Sequence, residues 1–412
     1  MFLKLATKSL YYRKGSVIIT TLALSISLIV MFGVEHIREQ AKNNFTSTVS
    51  GVDIIVGSRT GEVNLLLYSV FRMGKATNNM SWQSYASLSK DPMVSWSVPL
   101  SLGDSHRGYR VLGTTADYFE YFNYGEKQRL NFDAGNTLKE VFDVVIGAEV
   151  AQKLNYQVGD QLTLSHGIGN TSFSHHDDAP FRVVGILAAT GTPVDQTLHV
   201  SLQGLEIVHV PAAQRKWFTN QPKQSIDDNK ELLPKSVTAV MIGLTSRMVA
   251  FQFQRKVNTK SQEPLMAILP GATLAQLWQT LSVAENTLLL ISSLIVISTL
   301  FGLSAMLIAS IRERREEIKL LRMIGASPLF IYWLIAIEAL LISFISIIVA
   351  ITVLTLGLTL SKSFLFTHYG LSIGANVFSL RSLYLIGVLC ILTVLAAIPP
   401  SLFAYKEANG KR

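Results

Sequence analysis

The sequence predicts an α-helical membrane protein: four transmembrane helices plus a large α/β (α+β) extracytoplasmic domain on helical stalks. Three observations carry that prediction. Four apolar runs, at 16–35, 286–311, 329–360 and 383–404, are long enough to cross a bilayer, which takes about 20 helical residues. Basic residues crowd alternate ends of those runs. Between the first two runs, residues 36–285 alternate short strand patterns with helical ones, separated by glycine and proline turns.

The spans come first. Ser16 to Val34 and Thr287 to Ile311 hold no charge, the third run holds only Glu338, and the fourth ends near Pro399-Pro400. Lys4, Lys8, Arg13 and Lys14 precede the first span, so the amino terminus is expected in the cytoplasm. Arg312, Arg314, Arg315, Lys319 and Arg322 place loop 312–328 on the same side, and Lys406, Lys411 and Arg412 place the 405–412 tail there too. The 361–382 loop has only Lys362 and Arg381 and is expected outside, with residues 36–285. A signal peptide is the other reading of the first run. Its length, and the poor cleavage context at Gly33-Val34-Glu35-His36, favour a retained anchor. In residues 1–15, Leu3, Ala6 and Leu10 share a stripe away from Lys4, Lys8 and Lys14. This pattern suits a surface-lying amphipathic helix or a simple extension of the span.

The sole cysteine, Cys390, lies in the fourth span, which rules out a disulfide scaffold outside. The net charge of +8 is partly membrane-proximal and gives no ground for nucleic-acid binding. In the outer domain, Val52–Val56, Phe142–Ile146, Gln161–Ser165, Phe181–Leu187, Leu198–Leu202 and Val237–Leu244 read as strands, with 161–165 pairing 181–187. Gly147 turns into a helix over Ala148–Leu154, and another helix is expected at 246–257. Leu65–Phe71 is ambiguous, and Gly191–Asp195 has a turn composition. From Ala272 to Ile324 there is no proline and only Gly302, which predicts one helix of about 75–80 Å at 1.5 Å per residue. Gly325 suits its C-terminal cap, and Ser327-Pro328 an N-cap and N1 of the next helix, making a helical hairpin with a tight corner.

That hairpin carries a resemblance. Glu317-Ile-Lys-Leu-Leu-Arg-Met-Ile-Gly-Ala-Ser327 is similar to the loop of MacB/FtsX/LolC-type ABC transporter permeases, whose pattern is Glu-Ile-Gly-x-Leu-Arg-Ala-x-Gly-Ala. Lys319 replaces the glycine and Met323 the alanine, and both suit a helix. The order of span, large outer domain and three spans matches, and Phe142–Leu164 and Phe181–Leu187 resemble the family's periplasmic core domain. The resemblance implies a mechanotransmission permease of the bacterial inner membrane, paired with a second copy or a homologue. A separate cytoplasmic ABC ATPase would use ATP and magnesium, and a periplasmic adaptor or envelope client would meet the outer domain. No Gly-x-x-x-x-Gly-Lys-Ser/Thr phosphate loop occurs in the chain, so it is expected to be non-catalytic and to hold no cofactor of its own.

Candidate site residues follow. Arg312, Glu313, Arg315, Glu316, Glu317, Arg322, Gly325, Ala326, Ser327 and Pro328 are expected to couple to the ATPase. Solvated i,i+3 and i,i+4 ion pairs are the plainer role for the charges. Glu338 is an intramembrane carboxylate, and without acids in other spans it is read as a packing or polar-partner residue rather than a proton path. Five of the eight histidines fall between His166 and His209. His166, His175, His176 and Asp177 have ligand chemistry for zinc, whereas the lack of His-x-x-x-His or paired cysteines equally fits a polar hairpin loop. Two further readings on the same scaffold are a metal-responsive envelope module and an FtsX-like regulator of an extracytoplasmic hydrolase. No serine or cysteine has the local context of a nucleophile.

Overall fold

A computed structural model describes residues 7–8, 10–48, 50–125, 127–166, 179–211, 215, 218, 226, 234–259, 262–313, 315–369, 374, 377 and 379–408. In chain order the main elements are α1 (Lys14–Ser47), β1 (Ile54–Ser58), α2 (Glu62–Ser69), α3 (Trp82–Ser89), β2 (Val94–His106), β3 (Tyr109–Thr114), β4 (Phe132–Gly135) and β5 (Asp143–Ile146). Next come α4 (Ala148–Leu154), β6 (Phe181–Leu187), β7 (Thr197–Ser201), α5 (Leu202–His209), β8 (Ala239–Leu244), α6 (Ala250–Asn258) and β9 (Leu265–Ile268). The chain closes with α7 (Pro270–Glu313), α8 (Arg315–Met323), α9 (Pro328–Tyr369), α10 (Leu380–Ala396) and α11 (Ile398–Ala408). It divides into two compact units: a helical one of residues 1–41, 281–364 and 373–412, and a mixed one of 42–280 and 365–372.

The mixed unit is built on an eleven-stranded sheet with main order β9-β1-β8-β2-β3-β7-β5-β6-β4. Neighbours are antiparallel except β7 beside β3 and β6 beside β5. The segment read as one strand at Gln161–Ser165 is two short pieces: Gln161–Leu162 pairs β6, and Ser165–His166 crosses to pair β2. Val237–Leu244 is likewise split, and Leu65–Phe71 resolves mainly as α2, burying Leu65, Leu66 and Tyr68. β1 and β8 are buried at every position and read as continuous apolar runs, as strands covered on both faces do.

Gly147 shows why this sheet tolerates little change where a strand meets a helix. A Cβ there would lie 2.3 Å from the Val194 carbonyl oxygen and 2.4 Å from that of Asp195. Those carbonyls belong to the turn that closes on the Asp195 carboxylate, which accepts from the Thr190 and Gly191 amides at 2.8–3.1 Å. Gly147→Ala is expected to destabilise the unit by about 2 kcal/mol through backbone displacement. A lowered thermal midpoint of the purified full chain checks this.

In the helical unit, the candidate spans are Lys14–Gln40, Pro270–Glu313, Pro328–Ser361 and Leu380–Tyr405. Small hydroxyl residues stitch the helices, which suits interfaces that gain little from apolar burial in lipid. Ser25 donates to the Ser346 carbonyl at 3.3 Å and Ser346 donates back to that of Thr21 at 3.2 Å, joining α1 to α9. Ser27 meets Thr299 of α7 at 2.6 Å, and Ser343 meets Thr393 of α10 at 3.1 Å. α10 ends at Ala396, and Pro399-Pro400 lie in the first turn of α11. Pro400 has no N–H to return to the Ala396 carbonyl, and Ser304 of α7 supplies that donor at 2.7 Å.

Candidate functional site

The charged loop between the second and third spans folds as two helices around a defined corner. The helix expected from Ala272 to Ile324 is described as α7 up to Glu313 and as α8 from Arg315 to Met323, with residue 314 between them outside the described residues. The corner itself is set by local chemistry. Gly325 takes φ +94°, its N–H donates to the Arg322 carbonyl at 3.0 Å, and that of Ala326 donates to Leu321 at 2.9 Å. This pair is the Schellman pattern, which needs a residue free of Cβ strain at Gly325. Ser327 then caps α9 by accepting from the Phe330 amide at 3.2 Å, with Pro328 at the first helical position.

α8 is amphipathic in an uncommon sense. Ile318 is buried against the bundle, while Leu320, Met323 and Ile324 are 58%, 78% and 74% exposed, with Leu329 at 65% across the corner. Arg312, Glu313, Glu316 and Glu317 are exposed beside that apolar row. Lys319 pairs with Glu316 at 2.9 Å, a solvated i,i+3 contact worth a few tenths of a kcal/mol. Arg322 lies over the Tyr405 ring at 4.7 Å and Arg312 over Phe403 at 5.2 Å, so two of the basic residues brace α11 against the hairpin. The side chain of Arg315 lies outside the described atoms.

Glu338 sits beneath α8, 2% exposed, on the wall of a narrow cavity that also touches Ile318 and Leu321. Its Oε2 lies 3.4 Å from Arg13, whose side chain is 12% exposed. The carboxylate thus has a basic partner from the start of the first span. A second charged cluster ties α1, α7 and α10. Glu35 accepts from Arg38 at 3.1 Å and from Arg381 at 3.3 Å, and Arg38 reaches Glu285 at 3.7 Å. Sequence reasoning used Arg13 and Arg381 only as topology markers. The signal for their role was a buried acid, Glu338 or Glu35, that needed a cation from another helix.

The described histidine side chains lie in separate surroundings. His199 is fully buried on β7 against Tyr118 and Phe119, and His106 is occupied by the Thr163 carbonyl at 2.6 Å and the Tyr156 hydroxyl at 2.9 Å. His209 lies 3.6 Å from the Asp104 carboxylate, which is the main cause holding its imidazole above the usual range. The backbone of His166 is in register with Asp104, whereas His175, His176 and Asp177 lie outside the described residues. Among the described residues, no three of His, Cys, Asp or Glu are grouped to hold a metal ion.

Comparison with known proteins matches residues 17–259 to the MacB-like periplasmic core domain and residues 289–408 to the FtsX-like permease C-terminal domain. Among solved structures, the chain is similar to the periplasmic region of MacB from Actinobacillus actinomycetemcomitans. The identity is 12% and the TM-score 0.34, covering 57% of this chain and 94% of that one. It is also similar to the extracellular domain of the noncanonic ABC-type transporter YknZ from Gram-positive bacteria. There the identity is 12% and the TM-score 0.28, covering 53% of this chain and 98% of that one. No curated protein sequence matches the chain.

Proposed function

Because the chain belongs to the MacB-like, FtsX-like family of ABC transporter permeases, we propose that it couples ATP hydrolysis on a separate cytoplasmic ATPase to work done by its mixed α/β domain on an envelope client. The client class is a lipoprotein, a peptide or a small molecule, met directly or through a periplasmic adaptor. On this reading both termini and the α8 hairpin face the cytoplasm, the α/β domain faces the periplasm, and a second permease copy or homologue completes the complex.

The observation that carries the reading is the hairpin. An exposed apolar row of Leu320, Met323, Ile324 and Leu329 with flanking charges, on a corner fixed by Gly325 and Ser327, is a surface that lacks a partner in a lone chain. Such a row buried in a groove of the ATPase gives affinity, and the rim of Arg312, Glu313, Glu316 and Glu317 gives orientation. The chain passes from the α/β unit into the helical one within α7, a rod of 44 helical residues or about 66 Å at 1.5 Å per residue. Movement of the hairpin on nucleotide binding is passed along that rod and not through a substrate channel.

The test is affinity purification of the tagged chain in mild detergent, compared with Met323→Asp plus Ile324→Asp at equal amounts of folded protein. An ATPase retained by the wild type and lost by at least tenfold in the variant is expected. Intact permease with no ATPase in either sample sinks the reading.

A further inference from the structure

The α/β domain contains a buried cation with no counter-charge among the described residues. Arg72 is 8% exposed, and its guanidinium donates to the Ser69 carbonyl and, at 3.2 Å, to the Tyr118 hydroxyl, both neutral acceptors. Its Nε has no partner, and no carboxylate pairs with it among the described residues. Buried charges are ordinarily paired, because desolvating one alone is costly. The neighbouring residues do not relieve it, since burial and the nearby guanidinium keep the fully buried His199 neutral, with a pKa of about 3. The backbone adds strain: Arg72 holds φ +58°, a region that non-glycine residues seldom occupy.

Arg72 lines two adjoining clefts, of about 520 and 280 Å³, and Arg110 lines both as well. The larger is open to Lys153 and the smaller to Lys75. Arg110 donates to the Gly74 carbonyl at 2.9 Å and so fixes the segment that carries Arg72 and Lys75. Among the described residues, Glu149 is the one carboxylate on these walls. Its two oxygens are taken by Lys153 at 2.5 Å and by the Gln196 amide at 2.8 Å. Arg72, Arg110 and Lys75 remain without an acid in the site. In the smaller cleft a second buried group also lacks a partner: the Tyr68 hydroxyl, on a side chain 1% exposed. Burial raises its pKa to about 12, so it stays a donor at any working pH.

We infer that this double cleft binds a phosphate-type oxyanion, met by the guanidinium groups of Arg72 and Arg110, the ammonium of Lys75 and the hydroxyl of Tyr68. Two forked guanidinium groups suit the several acceptor oxygens of such an anion, and a bound anion supplies the charge that Arg72 lacks. The cleft volume exceeds what a bare phosphate needs and suits a phosphate carried on a larger molecule. The same chemistry comes from a soluble phosphate or from a lipid headgroup. The site stands on the α/β domain alone, so its failure leaves the ATPase reading untouched.

The experiment is calorimetric titration of the full chain in a neutral detergent, with inorganic phosphate in one arm and short-chain phosphatidylglycerol below its micellar concentration in the other. Sodium chloride at matched ionic strength is the control. Saturable binding of at least one probe is expected, weakened at least tenfold by Arg110→Gln and severalfold by Lys75→Ala. Arg110 is half-buried and Lys75 exposed, so both variants are expected to fold, unlike changes at Arg72. Binding in the phosphate arm assigns a soluble ligand, and binding in the lipid arm alone assigns a headgroup. No saturable binding of either probe to folded protein overturns the site, as does binding that neither substitution weakens.

Discussion

Removing either member of the Arg13–Glu338 pair is expected to cost about 3–5 kcal/mol, and removing both to cost much less than the sum. The two side chains are 12% and 2% exposed, and they bring opposite charges from just before α1 and from the third turn of α9 to 3.4 Å. Taking charges out of water is expensive, and the pair recovers that cost only while both members are present. Arg13→Leu takes the cation from the Glu338 carboxylate, which shares its cavity wall with Leu307 and Ile335, and Glu338→Leu takes the carboxylate from the Arg13 guanidinium. Arg13→Leu with Glu338→Leu replaces both charges by apolar volume, a change that is often neutral. The checking measurement is a double-mutant cycle on thermal midpoints in one detergent. A large coupling between the two substitutions is expected, and additive losses would show that the two residues act separately. A proton path through Glu338 would instead change activity with pH and leave the midpoints alone.

The second large effect is acid sensitivity centred on His199. Its imidazole is 0% exposed, packed against Tyr118 and Phe119, and its pKa in the folded chain is lowered from the ordinary 6.5 to about 3. Burial is the main cause and the Arg72 charge the next. At pH 5 the unfolded chain binds a proton at this position and the native chain does not. Stability therefore rises with pH across this window and falls as pH drops below 6.5, with the loss complete near 3. The slope for one proton is about 1.4 kcal/mol per pH unit. His199→Gln removes this component, so the gap between wild type and variant should shrink by roughly 2–3 kcal/mol between pH 6.5 and 4.5. Midpoints that track in parallel over that range would show that His199 is protonated in the folded protein.

Local chemistry was the most legible layer of this sequence. Gly325, Ser327 and Pro328 marked a helix end and the next beginning within a few residues, and the corner is closed by hydrogen bonds among those residues. Gly147 marked the strand-to-helix turn for the same reason. The longest strand, β2, was not recognised although Val94, Trp96, Val98, Leu100 and Leu102 alternate correctly. Pro99 stands in the interior of this strand, where proline is seldom found. It is tolerated in register with Val240, where its carbonyl still accepts from the Thr114 hydroxyl at 3.0 Å.

Long-range pairings were illegible. Arg13 and Glu338 are 325 positions apart, and nothing local to either names the other. The candidate ligand set His166, His175, His176 and Asp177 lies mostly outside the described residues. Of the histidines that follow it in sequence, His199 is buried on β7, a strand covered at every position, and His209 sits on a helix beside Asp104. In the candidate docking site the charges drew attention first, yet the exposed apolar residues Met323 and Ile324 became visible only when α8 was seen to bury Ile318 and leave them outside.

The most direct test places a photo-crosslinking amino acid at Ile324 and, in a separate variant, at the equally accessible Met248 of the α/β unit, 74% and 90% exposed. Both are irradiated in intact cells. The account expects the Ile324 probe to capture a nucleotide-hydrolysing cytoplasmic protein and the Met248 probe to capture none. An ATPase captured from Met248, or extracytoplasmic proteins alone captured from Ile324, would contradict it.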